Sequence, residues 1–241
     1  MRNRIKIGIK GVDALLSGGV PEGSQVVIAG NPGSGKTLLA FEYLYRGAEN
    51  GEVGVFFSFN EDTDILLQSI KESFPELKRI DDFVNEKKII IFGYEETKTF
   101  MQKGSESTNY AFTGMISQLQ SRIEDYHARR IVIDSLSYIK LYPNTLFEYR
   151  NLSTSLLVIL NRQHVTSLIT AELESENASK YQPEFSIYDG LIILDTILNK
   201  NGNRTPTFEV RKMRGVNHKH IAVPYRITPS GVDIASAGSD Q

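Results

Sequence analysis

The chain has 241 residues, with 27 basic and 29 acidic side chains for a formal net charge of −2, and it contains no cysteine. That balance offers no bulk electrostatic attraction to nucleic acid or to an anionic membrane, and the missing cysteine excludes disulfides, thiolate chemistry and cysteine-ligated zinc. At 40% hydrophobic and 23% charged, the composition is that of one large globular domain, expected over residues 1–234 with a disordered tail at 235–241. The amino terminus lacks an apolar signal core, and the longest apolar stretches, such as 156–160, are too short to span a bilayer. A cytoplasmic location without a membrane partner is therefore expected, which makes the sequons at Asn151, Asn177 and Asn203 chance matches.

Along the chain, short apolar runs alternate with longer helical patterns, as in a mostly parallel sheet covered on both faces. A strand is expected at 25–29. It leads into Gly30-Asn31-Pro32-Gly33-Ser34-Gly35-Lys36-Thr37, which matches the phosphate-loop pattern G-x-x-x-x-G-K-[ST], and a helix pattern follows over 36–49. Strand, loop and helix in succession are the context this motif needs. Glycines at 30, 33 and 35 permit backbone conformations closed to residues with a Cβ, so successive N–H groups from Gly30 to Leu38 can turn toward phosphate oxygens. The helix N-terminus adds its positive field. Lys36 supplies a point charge for the β- and γ-phosphates, and the Thr37 hydroxyl a ligand for Mg²⁺, so ATP with Mg²⁺ is the expected ligand.

A strand at 54–59 ends on Asn60, Glu61 and Asp62. A helix at 63–73 follows, with Thr63, Leu66, Leu67 and Ile70 on one face and Pro75 beyond its end. Then come a strand at 88–92, a helix at 112–128 and a strand at 130–134 that is apolar and ends in Asp134, the Walker B pattern. The stretch between Thr37 and Asp134 leaves room for intervening strands and helices, so this strand can lie close to the phosphate-loop strand, with Asp134 holding Mg²⁺ through water. A helix N-cap is the other reading of Asp134. The next residue is Ser135, where many P-loop ATPases carry a catalytic glutamate, so a water-orienting carboxylate must come from elsewhere. Glu61, with Asn60 beside it at the tip of the 54–59 strand, is the candidate; a cap for the 63–73 helix is the alternative use of these residues. A helix at 146–162 and strands at 167–171 and 190–194 complete the parallel part. Beyond them, a turn at Asn199 to Asn203, a strand from Thr207 and strands around Tyr225 and Val232 read as antiparallel hairpins added to the sheet edge.

Two longer segments extend the pattern. One is Gly8-Ile9-Lys10-Gly11-Val12-Asp13-Ala14-Leu15-Leu16, then Gly18-Gly19-Val20-Pro21-Glu22-Gly23. The other is Lys212-Met213-Arg214-Gly215-Val216-Asn217-His218, then Pro224-Tyr225-Arg226-Ile227-Thr228-Pro229-Ser230-Gly231. With the phosphate loop between them, these stand in the order and spacing of KaiC-like proteins, and the chain resembles a single KaiC domain of the archaeal or bacterial RecA-paralogue type. The resemblance implies an α/β, RecA-like P-loop NTPase fold with C-terminal antiparallel hairpins. It also implies a homo-oligomer, a hexamer with nucleotides between subunits. It carries Lys212, Arg214 and His218 over as contacts to a neighbour's nucleotide, with Arg214 nearest to an arginine finger. The residues themselves leave two readings. On an extended strand Lys212 and Arg214 share a face, roughly 6.8 Å apart, which suits a polyphosphate but equally suits a solvated basic edge that discourages strand pairing. His218 and His220 invite a metal reading that no other histidine pattern supports.

The chain departs from the family at Asn60 and Glu61, where members commonly carry two adjacent glutamates, the first matching the catalytic glutamate of RecA. Hydrolysis is therefore expected to be slow or to depend on Glu61. No pair matches the autophosphorylated Ser/Thr pair of the circadian clock protein, so a clock role does not follow. Three function classes remain: a KaiC-like ATPase acting as a nucleotide-dependent regulatory or assembly protein, a recombinase paralogue on DNA, and a P-loop small-molecule kinase. The second would use loops 135–145 and 172–184. The latter carries Glu172, Glu174, Glu176 and Glu184 against Lys180, the wrong sign for phosphate contacts, while Tyr138, Lys140 and Tyr142 keep the former open as a stacking surface. The third lacks an arginine-rich lid. The first is the expected function; DNA is possible as a partner but not favoured.

Overall fold

The computed structural model describes residues 3–102, 108–141, 143, 145–173, 183–198 and 202–235. In chain order the elements are β1 (Arg4–Ile5), α1 (Val12–Leu15), β2 (Val20–Pro21), β3 (Gln25–Gly30), α2 (Lys36–Glu49), β4 (Gly54–Ser58), α3 (Thr63–Ser73), α4 (Ile80–Asn85) and β5 (Ile89–Phe92). There follow α5 (Tyr94–Gln102), α6 (Thr108–Asp125), β6 (Arg130–Asp134), α7 (Leu136–Ile139), α8 (Leu146–Arg162), β7 (Thr166–Glu172), a 3₁₀ turn (Pro183–Ile187), β8 (Gly190–Leu198), β9 (Arg204–Met213), β10 (Ala222–Thr228) and β11 (Gly231–Ile234). A nine-stranded sheet has the order β11-β10-β9-β8-β3-β7-β6-β4-β5. From β8 to β5 the strands are parallel, and β9, β10 and β11 are added as antiparallel hairpins. This is the mostly parallel α/β sheet expected from the alternating pattern, with the C-terminal hairpins that the resemblance implies.

The central strands are apolar throughout because both faces are covered. Along β3, Val26 and Ile28 enter a core with Leu39, Phe41 and Leu44 of α2 and Ile70 of α3, while Val27 and Ala29 enter a second core with Leu119 and Ile123 of α6 and Leu156 and Leu160 of α8. Successive side chains of a strand point to opposite faces, so one run feeds two cores.

The differences from the expected elements are local. The helix expected at 112–128 begins at Thr108 and stops at Asp125, because His127 takes a left-handed conformation (φ 50°) and the Ala128 N–H turns back to the Ile123 carbonyl. The strands of the first hairpin reach Leu198 and begin again at Arg204, beyond the 194 and 207 expected; backbone pairing from Asp195↔Thr207 to Leu198↔Arg204 sustains strand that apolar patterning does not mark. The short helices α1, α4, α5 and α7 had no period long enough to be read. Of the expected tail, Ala235 donates its N–H to Pro224, and 236–241 lie outside the described residues. Among the described residues no helix is long and apolar enough to cross a membrane.

Two contacts tie remote segments to the phosphate-loop helix α2. The C-terminal hairpin lies on it: the Tyr225 hydroxyl donates to the Ser34 carbonyl (2.5 Å) and the Val232 N–H to the buried Glu42 carboxylate (2.6 Å). Gly231 sits at φ 128°, and a Cβ there would lie 2.3 Å from Glu42 Oε1, so glycine is required both by conformation and by space. On the other side, the buried Arg130 guanidinium donates to the Tyr43 carbonyl (2.8 Å), the Lys6 carbonyl (3.0 Å) and the Glu52 carboxylate, and lies over the Tyr43 ring. It joins β6, α2 and the N-terminal segment.

Replacing Arg130 with Met leaves those carbonyls unpaired in the interior, so we predict a loss of about 3–5 kcal/mol, with the denaturant midpoint as the measurement. A midpoint within experimental error of the parent's would show that the guanidinium does not hold these segments together.

Candidate nucleotide site

The phosphate loop leaves β3 at the C-terminal edge of the sheet. Gly33 and Gly35 have φ of 79° and 82°, the left-handed region, whereas Gly30 is constrained by space: a Cβ there would lie 2.6 Å from both the Leu194 carbonyl oxygen and Ser34 Oγ. The three glycines thus serve two different needs. Asn31 and Pro32 complete the turn, with the Ser34 N–H donating to the Asn31 carbonyl (3.2 Å), and Leu38 lies in the first turn of α2. The Lys36 ammonium donates to the carbonyls of Gly30 and Asn31, at 3.0 Å each, so it is held over the loop. Burial lowers its pKa, against the charges of Glu172 and Asp134, which raise it. Ser34 Oγ is buried without a hydrogen-bond partner in the protein.

Asp134 ends β6, separated from β3 by β7 alone. Thr37 Oγ1 donates to one carboxylate oxygen at 2.8 Å, and the Thr170 hydroxyl of β7 donates to the other. Burial pushes the pKa of Asp134 up, opposed by these two hydrogen bonds and by Lys36. A hydroxyl and a carboxylate oxygen side by side at the mouth of the loop are hard oxygen donors of the kind Mg²⁺ takes, and Thr37 and Asp134 are the residues that would hold it. The N-cap role belongs to Ser135 instead, whose hydroxyl accepts the Tyr138 N–H at 3.3 Å.

β4 brings the third component. The Phe59 N–H donates to the Asp134 carbonyl at 2.7 Å, and the next residues turn across the strand tips. Ser58 Oγ accepts the Glu61 N–H (3.0 Å) and donates to the Glu61 carbonyl (2.8 Å), fixing that backbone. Burial and the Asp134 charge raise the pKa of Glu61, which places its carboxylate in the field of the site. Asn60 is exposed. Asp62 stands at the N-cap of α3 without a side-chain cap bond, and its carboxylate accepts the Glu95 N–H of α5 at 3.1 Å. Capping α3 is therefore not what these side chains do.

Sequence reasoning missed Thr170 and placed Glu172 only in a candidate DNA loop. Glu172 pairs in register with Gly30, the Leu173 N–H donates to the Gly30 carbonyl (3.3 Å), and Glu172 acts electrostatically on both Lys36 and Asp134. Polar residues at the tip of an otherwise apolar strand were the available signal.

Lys212, Arg214 and His218 are not brought to this loop. Met213 pairs with Gly190, which lies level with Val26, four residues back along β3 from Gly30, or about 13 Å down the strand direction. Lys212 and Arg214 do share a face, since both side chains donate to the Ser186 carbonyl, at 2.8 and 3.0 Å. His218 is buried against His220, with ring centres 4.3 Å apart, where the Lys219 N–H donates to the Leu15 carbonyl. Among the described residues no group of three His, Cys, Asp or Glu could hold a metal ion.

A phosphate loop at the edge of a parallel sheet, a Walker B acid bound to its threonine, and antiparallel strands after β8 define a nucleotide-binding P-loop ATPase domain of the RecA type. The chain belongs to the family described as "ATPase: KaiC", whose model matches residues 5–239. It is 31% identical over 229 residues to the circadian clock protein KaiC2 of Synechocystis sp., covering 94% of this chain and 39% of that protein. It is 28% identical over 240 residues to the circadian clock oscillator protein KaiC of Nostoc sp., covering 98% of this chain and 45% of that one. The chain thus spans less than half the length of these curated relatives. Among solved structures, the KaiC-like protein PH0186 of the archaeon Pyrococcus horikoshii OT3 superposes with a TM-score of 0.81 at 30% identity, covering 98% of this chain and 100% of that one.

Because the folded state raises the pKa of Asp134, stability linked to its proton is complete below the ordinary carboxylate pKa of about 4 and is lost as pH rises through the raised value. Asp134→Asn is therefore predicted to stabilise the nucleotide-free protein by about 0.5–2 kcal/mol at pH 8, with the gain fading near pH 4, while abolishing stabilisation by Mg-ATP. Thermal melts at both pH values, with and without Mg-ATP, test this; equal stability at pH 8, or an intact Mg-ATP shift, counts against the assignment.

Proposed function

We propose that this protein hydrolyses Mg-ATP slowly in a ring of its own copies, six by family resemblance, and acts in the cytoplasm as a nucleotide-dependent regulatory or assembly protein. The observation that carries this reading is the convergence of Lys36, Thr37, Asp134 and Glu61 at one edge of the sheet. In it, backbone N–H groups from Gly33 to Leu38 hold the phosphates, Lys36 pairs with the β- and γ-phosphoryl oxygens, and the buried Ser34 hydroxyl has a free bond to give. Thr37 would hold Mg²⁺, which when bound would supply positive charge to offset that of the phosphates. Thr170 fixes the orientation of Asp134, so the water-mediated contact has one geometry. Glu61 orients the attacking water and accepts its proton. Asn60 can bind a water but lacks the basicity to accept that proton, which is why turnover is slow.

The position of Lys212 and Arg214 supports the oligomer. Both lie toward the opposite end of the sheet from their own phosphate loop, so a nucleotide they contact belongs to another subunit. His218, the third contact the resemblance carries over, is buried against His220 and adds no support of its own. The DNA reading loses support at its first loop: the partly buried Tyr138 ring packs edge-on against Tyr94 (6.2 Å) and Lys140 pairs with Glu184 (2.8 Å). Tyr142, Glu174, Glu176 and Lys180 lie outside the described residues.

Two expectations follow for hydrolysis. Glu61→Gln is predicted to reduce the single-turnover rate by about 10² to 10⁴-fold with ATP affinity retained, and Asn60→Glu to raise it; if neither variant changes the rate, the carboxylate lies elsewhere. Arg214→Ala is predicted to lower the rate more than affinity, and mixing it with binding-deficient Lys36→Ala subunits is predicted to restore hydrolysis, since each supplies what the other lacks. Light scattering with ATP reports the ring. A fully active monomer contradicts the model.

A further inference from the structure

Lys140, read from sequence as a possible nucleic-acid contact, is occupied within the protein. It caps the C-terminus of α7, the single helical turn N-capped by Ser135, which directly follows the Walker B acid; the Lys140 N–H donates to the Leu136 carbonyl at 2.9 Å. The Glu172 N–H donates to Ser137 Oγ at 2.7 Å, so the same turn is tied to the tip of β7 beside the phosphate loop. From this turn the Lys140 ammonium reaches Glu184 Oε1 at 2.8 Å and lies 5.5 Å from the centre of the Tyr149 ring. The Glu184 side chain is only 9% exposed. Leaving a carboxylate that deep without its cation is costly, so the pair holds the 3₁₀ turn against α7.

The same 3₁₀ turn anchors the two cations of β9 and its end. The Ser186 carbonyl accepts from Lys212 Nζ (2.8 Å) and Arg214 Nη2 (3.0 Å), and the Tyr188 carbonyl accepts from Lys212 Nζ (2.5 Å). Arg214 is fixed further by its N–H to the Asp189 carbonyl (2.9 Å) and by its guanidinium, 3.6 Å from the Asp189 carboxylate. An unbroken set of bonded groups therefore runs from Asp134 through α7, Lys140 and Glu184 to the carbonyls that hold Lys212 and Arg214. One end is the protomer's own nucleotide site. The other is the pair of cations turned away from it.

We propose that the Lys140–Glu184 ion pair is a positioning element for hydrolysis between subunits, setting Lys212 and Arg214 according to the state of the protomer's own Walker B acid. The proposal rests on the reading that those cations act on a neighbour's nucleotide. Neither Lys140 nor Glu184 touches substrate in it; they act through the 3₁₀ turn. Because α7 follows Asp134 directly in the chain, a displacement of Asp134 would carry Lys140 with it, and the buried pair would pass that displacement to the turn, since breaking it would strand a charge.

The test uses the full chain and reads both steady-state hydrolysis and equilibrium ATP binding for Lys140→Met, Lys140→Arg, Glu184→Gln, the double variant Lys212→Ala/Arg214→Ala, and that double variant with Lys140→Met added. Displacing a positioned cation is expected to lower kcat in Lys140→Met and Glu184→Gln by about tenfold to a hundredfold, with ATP affinity within about twofold of the parent. Lys140→Arg is expected to restore most of the rate. In the double variant, adding Lys140→Met is expected to change kcat no further, because its effect passes through the side chains already removed. Glu184→Gln keeps an oxygen acceptor for Lys140 and serves if Lys140→Met fails to fold. A double variant with the parent's kcat sinks the intersubunit reading and the proposal with it. A slow double variant alongside full-rate Lys140→Met and Glu184→Gln overturns the positioning role alone. So does a Lys140→Met effect that persists undiminished in the double variant.

Discussion

The Asp134 carboxylate is the point on which the rest of the site depends. It lies buried at the end of β6, accepts from Thr37 on α2 and from Thr170 on β7, and so joins the phosphate loop, the Walker B strand and the strand between them. Burial alone would favour the neutral acid; two hydroxyl donors and the Lys36 charge work against that. The arrangement trades stability for a carboxylate held in one orientation near the phosphates, a compromise common where buried ionisable groups cluster. Glu61 and Glu172 add negative field around the same point, opposed by the Lys36 charge.

The phosphate loop is also supported from the far end of the chain. β10 and β11 sit at the outer edge of the sheet, yet Tyr225 bonds to Ser34, Ile227 closes on Gly35, and Val232 bonds to Glu42 of α2. The hairpin therefore belongs to the nucleotide site as much as to the sheet edge. Its residues fall within the segment that resembles KaiC-like proteins, and their contacts give that resemblance a physical basis: a tyrosine hydroxyl and an isoleucine side chain meet the phosphate loop at Ser34 and Gly35, and a glycine lets the hairpin close on Glu42 of α2.

Polarity of the sheet organises the remainder. Parallel strands gather their C-terminal tips, and with them Gly30, Asp134, Glu61 and Glu172, at one edge. The antiparallel β9 runs the other way and delivers Lys212 and Arg214 toward the opposite edge. Reversal of one strand thus decides whether a cation serves its own nucleotide or faces outward, and in this chain it faces outward.

Much of this was legible in the residues. The loop 30–37 carries its own context, and the boundaries of α2, α3, α8 and β6 follow from apolar period, Pro75 and a terminal acid, because local pattern and packing demand the same thing there. The short helices α1, α4, α5 and α7 were not legible: each is too brief to show a helical period and is held by tertiary bonds, as α5 is by the Glu61 carbonyl and the Asp62 carboxylate, which accept the Tyr94 and Glu95 N–H groups. Thr170 and Glu172 were hidden for a related reason, since their role comes from the neighbouring strands rather than from any spacing along the chain. Sequence by itself determined the phosphate loop, the Walker B acid and the parallel core, where local geometry and burial suffice. Only the tertiary structure decided which polar groups meet Asp134, how the terminal hairpin supports the loop, and that Lys140 is engaged with Glu184, because each depends on strand order and register linking residues far apart in the chain.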